Sequence, residues 1–269
     1  MADYERLVEI QQHLSLAKPD HYLTWYYEYL RRSIDKPIKL LELGIAEGSS
    51  LMMWSEFLPN AEITGLDLDP VDLDDAGGRV ATYAGEQQDK ELLDRIGRER
   101  APEGFDVIID DASHLGEFSK ISFFHLFENH LRPGGLYFFE DWGTAYWDCY
   151  PDGKHSHPPT RSVPMRERLF GAMSASELIQ GNSFLRRATN KLRLTTLRRS
   201  FPSHQRGTVG VLKQIIDECG VLDITDPERG RGPKAKQLIS SVHIRPGLAL
   251  IHKTDPEQGL FQLPPGAWA

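Results

Sequence analysis

Between residues 38 and 141, five short apolar runs are interleaved with three segments of helical spacing, and that rhythm leaves few folds open. IKLLELG (38–44), AEITGLDLDP (61–70), GRVATYAGE (78–86), FDVIID (105–110) and PGGLYFFED (133–141) read as strands. SSLMMWSEFL (49–58), KELLDRIGRER (90–100) and SKISFFHLFENHL (119–131) read as helices, with Ser49 and Ser50 as N-cap candidates for the first. Strands separated by helices pair in parallel, with helices on both faces of the sheet. The expected fold is therefore α/β: a Rossmann-like, doubly wound, mostly parallel sheet.

The flanks behave differently. Residues 3–34 read as helical, with Tyr22, Trp25, Tyr26, Tyr29 and Leu30 on one face, a packing face rather than a substrate cage; Pro37 ends the segment. This gives an N-terminal helical segment at 1–36 and a Rossmann-like core at 37–147. Residues 148–207, rich in Pro, Ser, His and Arg, lack the rhythm and are expected to form a variable lid over the substrate. Residues 208–269 return to the core, with a helix at 208–219 and closing strands at 237–246 and 248–253. A chain of 269 residues with 40% hydrophobic composition sustains one large domain of this kind.

Charge and composition exclude several classes. A net charge of −8 argues against a general nucleic-acid binder. Residues 161–213 nevertheless hold 11 Lys/Arg against 2 Asp/Glu; the 186–199 part is most simply an exposed helical face, or an attractor for an anionic substrate. No apolar stretch approaches the roughly 20 residues of a membrane span, and the charged N-terminus is no signal peptide. Two cysteines do not make a disulfide scaffold, so a reducing cytoplasm is expected.

LLELGIAEGSS (40–50) is the first informative loop. It delivers Glu42, then turns through Gly44, Ala46 and Gly48 into a helix at Ser49. Small residues let a ligand approach the backbone. Asp67 ends the next strand, 23 residues after Gly44, where an acid meets ribose hydroxyls. The G-x-G-x-x-G of dinucleotide sites is absent, which counts against a nicotinamide-dependent oxidoreductase.

VIIDDASH (107–114) and FFED (138–141) supply the chemistry. Asp111 lies past one strand and Glu140 and Asp141 end the next, so three carboxylates are expected on one rim. A carboxylate-only set suits Mg²⁺ and fits zinc poorly. His114, three residues after Asp111, suits a general base; Asp110 points elsewhere, toward a cofactor or the interior. Read alone, the octet also permits a helix cap. Trp142, Tyr146 and Trp147 are candidates for a substrate wall or for packing. His125 and His130 read as packing, and His155 and His157 as part of a loop.

Glu42-x-Gly44-x-Ala46-x-Gly48 resembles motif I of the class I S-adenosylmethionine (SAM) methyltransferases. Taken with GEQQDKELL (85–93), VIIDDASH and LRPGGLYFFEDWGTAYW (131–147), the chain resembles the metal-dependent macrolide-sugar O-methyltransferases and the related cephalosporin hydroxylase family. The likeness covers 20–147 and resumes at 208–253. It implies SAM as cofactor, with Gly85, Glu86, Gln87 and Asp89 near the adenosine. It implies Asp111, Glu140 and Asp141 as Mg²⁺ ligands and His114 as base. Glu86, Ala46 and Ala112 depart from the residues usual at their positions. The implied activity is O-methylation of a hydroxyl on a small natural-product or sugar-containing substrate, by a homo-oligomer without nucleic-acid or membrane partners. An RNA acceptor is the alternative, against which the absence of an N/D-P-P-[FY] strand end counts; repurposed chemistry on the same fold is another.

Overall fold

The computed structural model describes residues 2–16, 18–69, 71–73, 77–147, 149–153, 207–220 and 238–257. Its strands are β1 (Lys39–Leu43), β2 (Glu62–Asp67), β3 (Val80–Ala84), β4 (Phe105–Asp110), β5 (Leu131–Glu140), β6 (Ile239–Ile244) and β7 (Leu248–Lys253). They form one sheet in the order β3-β2-β1-β4-β5-β7-β6. β1 to β5 run parallel, and β7 is antiparallel to both its neighbours. The winding reverses between β1 and β4, so a crevice opens beyond their carboxyl ends.

Helices cover both faces. α1 (Ala2–His13), α2 (Asp20–Leu30) and α3 (Ser49–Phe57) pack on one, and α4 (Lys90–Arg100), α5 (Gly116–Asn129) and α6 (Gly207–Cys219) on the other. Successive strand residues point to opposite faces. Leu40, Ile63, Val107, Ile109 and Phe138 therefore enter the first core, and Leu41, Leu43, Ile108, Tyr137 and Phe139 the second. Burial on both sides is why these strands are apolar at almost every position. The same alternation aims their polar ends. Glu42, two residues after Leu40, and Glu140, two after Phe138, face α1–α3; Asp110, two after Ile108, faces α5.

The expected single helical stretch at 3–34 is two helices with a break between them. Ser15 has φ 52° and Pro19 is the N-cap of α2. Proline disfavours a helical residue before it and offers no N–H. Gln11 Nε2 staples the turn by donating to Leu16 O and Lys18 O at 3.1 and 2.6 Å. The aromatic stripe of α2 is a packing face: Tyr22, Trp25, Tyr26 and Leu30 are all buried.

Two further boundaries move. The N-cap of α3 is Gly48, left-handed at φ 84°, and neither serine caps it. α5 begins at Gly116, three residues earlier than its apolar spacing indicates. The turn expected at Gly134-Gly135 lies inside β5, as a register shift between the pairs Phe105–Leu131 and Val107–Leu136. α6, β6 and β7 fall where the sequence places them. The lid at 148–207, apart from its ends at 149–153 and 207, lies outside the described residues. So do His155, His157, the arginine-rich 186–199 stretch and the tail after 257. No helix among the described residues is long and apolar enough to cross a membrane.

Candidate active site

A cleft of about 700 Å³ opens at the switch between β1 and β4. Gly44, Ile45, Ala46, Ser49, Asp67, Gln87, Asp111 and Ser113 are among its walls. The loops after β1 and β4 meet beneath it. A Cβ on Gly44 (φ 80°) would lie 2.3 Å from Asp111 O and 2.4 Å from Ala112 Cα, so only glycine lets them close. Asp67 ties down the facing loop: its Oδ2 accepts from Ile45 N and Ala46 N at 2.7 and 2.9 Å, and its Oδ1 from Leu68 N at 2.7 Å. Ala46 takes a left-handed φ of 45°, which these bonds hold.

Gln87 forms the far wall. Its Oε1 accepts from Ser113 N and Ser113 Oγ at 3.0 and 2.5 Å, and its Nε2 donates to Asp110 Oδ1 at 3.2 Å. Asp110 is itself buried, and also accepts from Ser122 and Tyr137 at 3.3 Å. It braces the wall from behind rather than facing the cleft. Asp89 caps α4, its Oδ1 accepting from Leu92 N at 3.1 Å. Gly48 serves as the cap of α3.

Beside the cleft, the acidic rim contains a residue that the sequence did not flag. Lys18, from the break between α1 and α2, is buried with its Nζ 2.5 Å from Glu140 Oε1, 2.8 Å from Asp111 Oδ2 and 3.7 Å from Glu42 Oε1. Tyr26 donates to the same Glu140 oxygen at 2.6 Å, and Tyr22 donates to Asp141 Oδ1 at 2.6 Å. Trp54 Nε1 donates to Glu42 Oε2 at 3.1 Å, while Glu42 Oε1 has no hydrogen-bond partner. Glu42 therefore belongs to this cluster and not to the cleft wall.

Three carboxylates around one ammonium leave surplus negative charge in a dry place. Burial pushes Glu42 up to about 8 and Glu140 up to about 7, against the pull of Lys18; burial also raises Asp111 and Asp110. Burial alone would lower Lys18, but the attraction of Glu140, Asp111 and Glu42 outweighs it and keeps the ammonium charged.

Asp141 follows the last residue of β5 and has a left-handed φ of 48°. Its Oδ2 and Asp111 Oδ1 each lie 3.9 Å from His114 Nε2. Residues 111–115 form no helical turn. His114 reaches the rim through a left-handed φ of 53°, with its carbonyl bonded by Thr144 and Thr208 hydroxyls at 3.1 and 3.3 Å. Two donor sets result: Glu42, Asp111 and Glu140 converge on one point, and Asp111, His114 and Asp141 on another. The expected trio of Asp111, Glu140 and Asp141 is thus split between them, with Asp111 in both. Of the aromatics that follow, Trp142 donates to Arg245 O at 2.8 Å and packs on the second core, Tyr146 is half-buried, and Trp147 is 51% exposed. His125 and His130 are not on this rim; both bond Asp94.

Lys18, Tyr22 and Tyr26 lie 93 to 122 residues from the Asp111, Glu140 and Asp141 that they hydrogen-bond, so no local pattern announces them. The available signal was strand parity: it puts Glu42 and Glu140 on one buried face, and buried carboxylates call for a cation.

Strand order, the antiparallel β7 and a glycine loop at the β1/β4 switch define the class I methyltransferase fold. The particular likeness is to enzymes that methylate sugars. Residues of this chain are 41% identical over 170 positions to mycinamicin VI 2''-O-methyltransferase of Micromonospora griseorubida, covering 59% of the chain and 41% of that protein. They are 35% identical over 172 positions to L-olivosyl-oleandolide 3-O-methyltransferase of Streptomyces antibioticus, covering 60% and 43%. The structure of MycE methyltransferase from the mycinamycin biosynthetic pathway, in complex with Mg and SAH, matches with a TM-score of 0.64 and 28% identity over 94% of this chain and 55% of that one. The chain thus spans about half the length of the relatives it matches, or less. No family model matches it.

Proposed function

We propose that this chain carries out SAM-dependent, Mg²⁺-dependent O-methylation of a sugar hydroxyl on a small natural product. The observation that carries this is the convergence of Asp111, His114 and Asp141, with Asp111 also lining a cleft of cofactor size. The named relatives are sugar O-methyltransferases, and the matched structure holds Mg and SAH, the product of SAM.

The cleft suits SAM. A carboxylate offers about four lone-pair sites, and Asp67 uses three of them on backbone N–H groups, which leaves one for a ribose hydroxyl. Gln87 is held at both ends of its amide, so it forms a fixed wall. The rim suits a hard divalent ion, because Asp111 and Asp141 offer it part-exposed carboxylate oxygens. Asp111 and Asp141 would hold it, with Glu140 as a third carboxylate behind. When bound, Mg²⁺ lowers the pKa of a hydroxyl and orients it.

His114 Nε2 then accepts the proton of the acceptor hydroxyl. The Asp111 and Asp141 carboxylates lie on either side of this nitrogen, each 3.9 Å away, and transfer to an imidazole positioned in this way is general-base catalysis. The leaving group in methyl transfer from a sulfonium is already good. What remains for the protein is to hold hydroxyl and methyl in line.

The test is transfer of labelled methyl from SAM to a glycosylated macrolide, to its aglycone and to RNA, each with and without EDTA. Labelling of the glycoside alone, lost in EDTA and restored by Mg²⁺, is expected. Transfer that is indifferent to EDTA, or that prefers RNA or the aglycone, overturns the assignment.

A further inference from the structure

On the opposite face of the sheet from Lys18, α4 and the end of α5 bring together two imidazoles and a carboxylate. Asp94 projects from α4, His125 from α5, and His130 is the C-cap of α5. His125 Nε2 lies 2.8 Å and His130 Nε2 2.7 Å from Asp94 Oδ1. Both rings thus aim at one oxygen rather than taking one each. Among the described residues, this is the one cluster of potential ligands that offers two imidazoles. The proposed methyl transfer makes no use of it.

A second observation shows how the meeting is built. Gly97 sits inside α4, one turn beyond Asp94. A Cβ there would lie 2.1 Å from His130 Nδ1 and 2.6 Å from its Cε1. Glycine is among the poorest residues for a helix interior. Here it clears the space that the His130 ring occupies against α4, beside Asp94. The histidine side chains are 13% and 12% exposed and the Asp94 side chain 38%, so an ion can enter from solvent while the rings stay fixed.

We propose that Asp94, His125 and His130 form a binding site for a borderline divalent ion of the Zn²⁺ class, distinct from the hard-ion rim. Two imidazoles and one carboxylate are a zinc donor set, with a fourth position left for water. Zinc takes nitrogen and oxygen ligands at about 2.0–2.2 Å. Tetrahedral donors then stand about 3.3 Å apart, so each ring nitrogen has to withdraw from Asp94 Oδ1 by only about half an ångström. Each Nε2 has to present its lone pair, with the ring proton on Nδ1. The ion would tie α4 to the end of α5, two elements on the same core layer.

The experiment is Zn²⁺ titration of the chelator-treated full chain by calorimetry, together with Co²⁺ absorption in the visible. Parent, Asp94→Asn, His125→Gln and His130→Gln are compared, all in an Asp111→Asn background that disables the rim. One equivalent of Zn²⁺, a raised melting temperature and a tetrahedral Co²⁺ band are expected in the parent. Each of the three variants should bind at least 10-fold more weakly. His125→Gln keeps a donor for Asp94 and a half-buried position, so it reports on binding even if the others fold poorly. Binding that is equally tight in His125→Gln, that exceeds one equivalent without saturation, or that is absent in the parent overturns the site and leaves a hydrogen-bonded clasp between helices. Methyl transfer is not read, so failure of this site and failure of the proposed activity are separate results.

Discussion

Two carboxylate sets lie side by side on the acidic rim, built in opposite ways around a shared Asp111. The first, among Glu42, Asp111 and Glu140, is dry and already holds the Lys18 ammonium, with the glutamate side chains 0% and 3% exposed. The second, among Asp111, His114 and Asp141, is open, with Asp111 and Asp141 25% and 42% exposed. Its carboxylates face an imidazole and a tyrosine hydroxyl instead. A buried ion cluster is costly to disturb and fixes geometry. An open one exchanges ligands and protons with solvent. The rim therefore sets a dry carboxylate group around an ammonium beside an open one around an imidazole, and the turn at Asp141 is the cause: this residue lies just past β5 with a left-handed φ of 48°, which brings its side chain within 3.9 Å of His114.

Asp111→Asn attacks both halves at once and has the largest expected effect. A metal's charge stabilisation is worth several kcal/mol, so turnover should fall by about 10³-fold or more while SAM binding survives. Calorimetry with SAM and an initial-rate assay measure the two separately. Near-normal turnover would remove Asp111 as the shared node.

His114→Ala affects only the open half. General acid–base groups contribute about 10²–10⁴-fold, so kcat should drop within that range with Mg²⁺ affinity little changed. The lost rate should also lose its dependence on a proton-accepting group in the pH profile. A rate close to the parent's would mean that solvent takes the proton.

Lys18→Met acts directly on the dry half and reaches the open half through Asp111. Removing one partner of a buried ion pair costs about 3–5 kcal/mol, so the metal-free protein should unfold at a much lower urea concentration. The same change frees Glu140 and the Oδ2 of Asp111, so Mg²⁺ should bind more tightly and recover part of the loss. Weaker Mg²⁺ binding in Lys18→Met would show that Lys18 aims the carboxylates at the metal instead of competing for them.

The two halves also differ in how far the sequence revealed them. The strands, the loop at Gly44 and the acids at 110–111 and 140–141 follow from periodicity and from small residues at strand ends, all local signals. His114 was visible as a residue type at a spacing, but not as a left-handed one. The α1–α2 break was signalled by Pro19 and still passed over, because Tyr22 to Leu30 kept helical spacing beyond it. Lys18 carries no local mark at all: the hydrogen bonds that hold it go to Asp111 and Glu140, 93 and 122 residues away. His125 and His130 read as packing because their partner Asp94 sits on another helix. Contacts between elements are what periodicity leaves out.

The smallest expected effect concerns protons in the dry half. Glu42 and Glu140 are pushed from 4.5 up to about 8 and about 7, chiefly by burial. The folded state then binds more protons than the unfolded chain between pH 4.5 and about 8. Stability falls with rising pH wherever the folded state holds the extra protons. Their contribution is full below about 4.5 and is lost as pH climbs through 7 to 8. The metal-free melting temperature should therefore decline across that window. Glu42→Gln should flatten the decline, since a neutral amide does not titrate and Glu42 Oε1 gives up no hydrogen bond. An ion that takes carboxylates in their charged form should release protons as it binds, detectable as a buffer-dependent heat near pH 7. A melting temperature that rises from pH 5 to 8 in the parent, with the same slope in Glu42→Gln, would mean that Lys18 already neutralises the dry half. The contrast between the two carboxylate sets would then rest on burial alone.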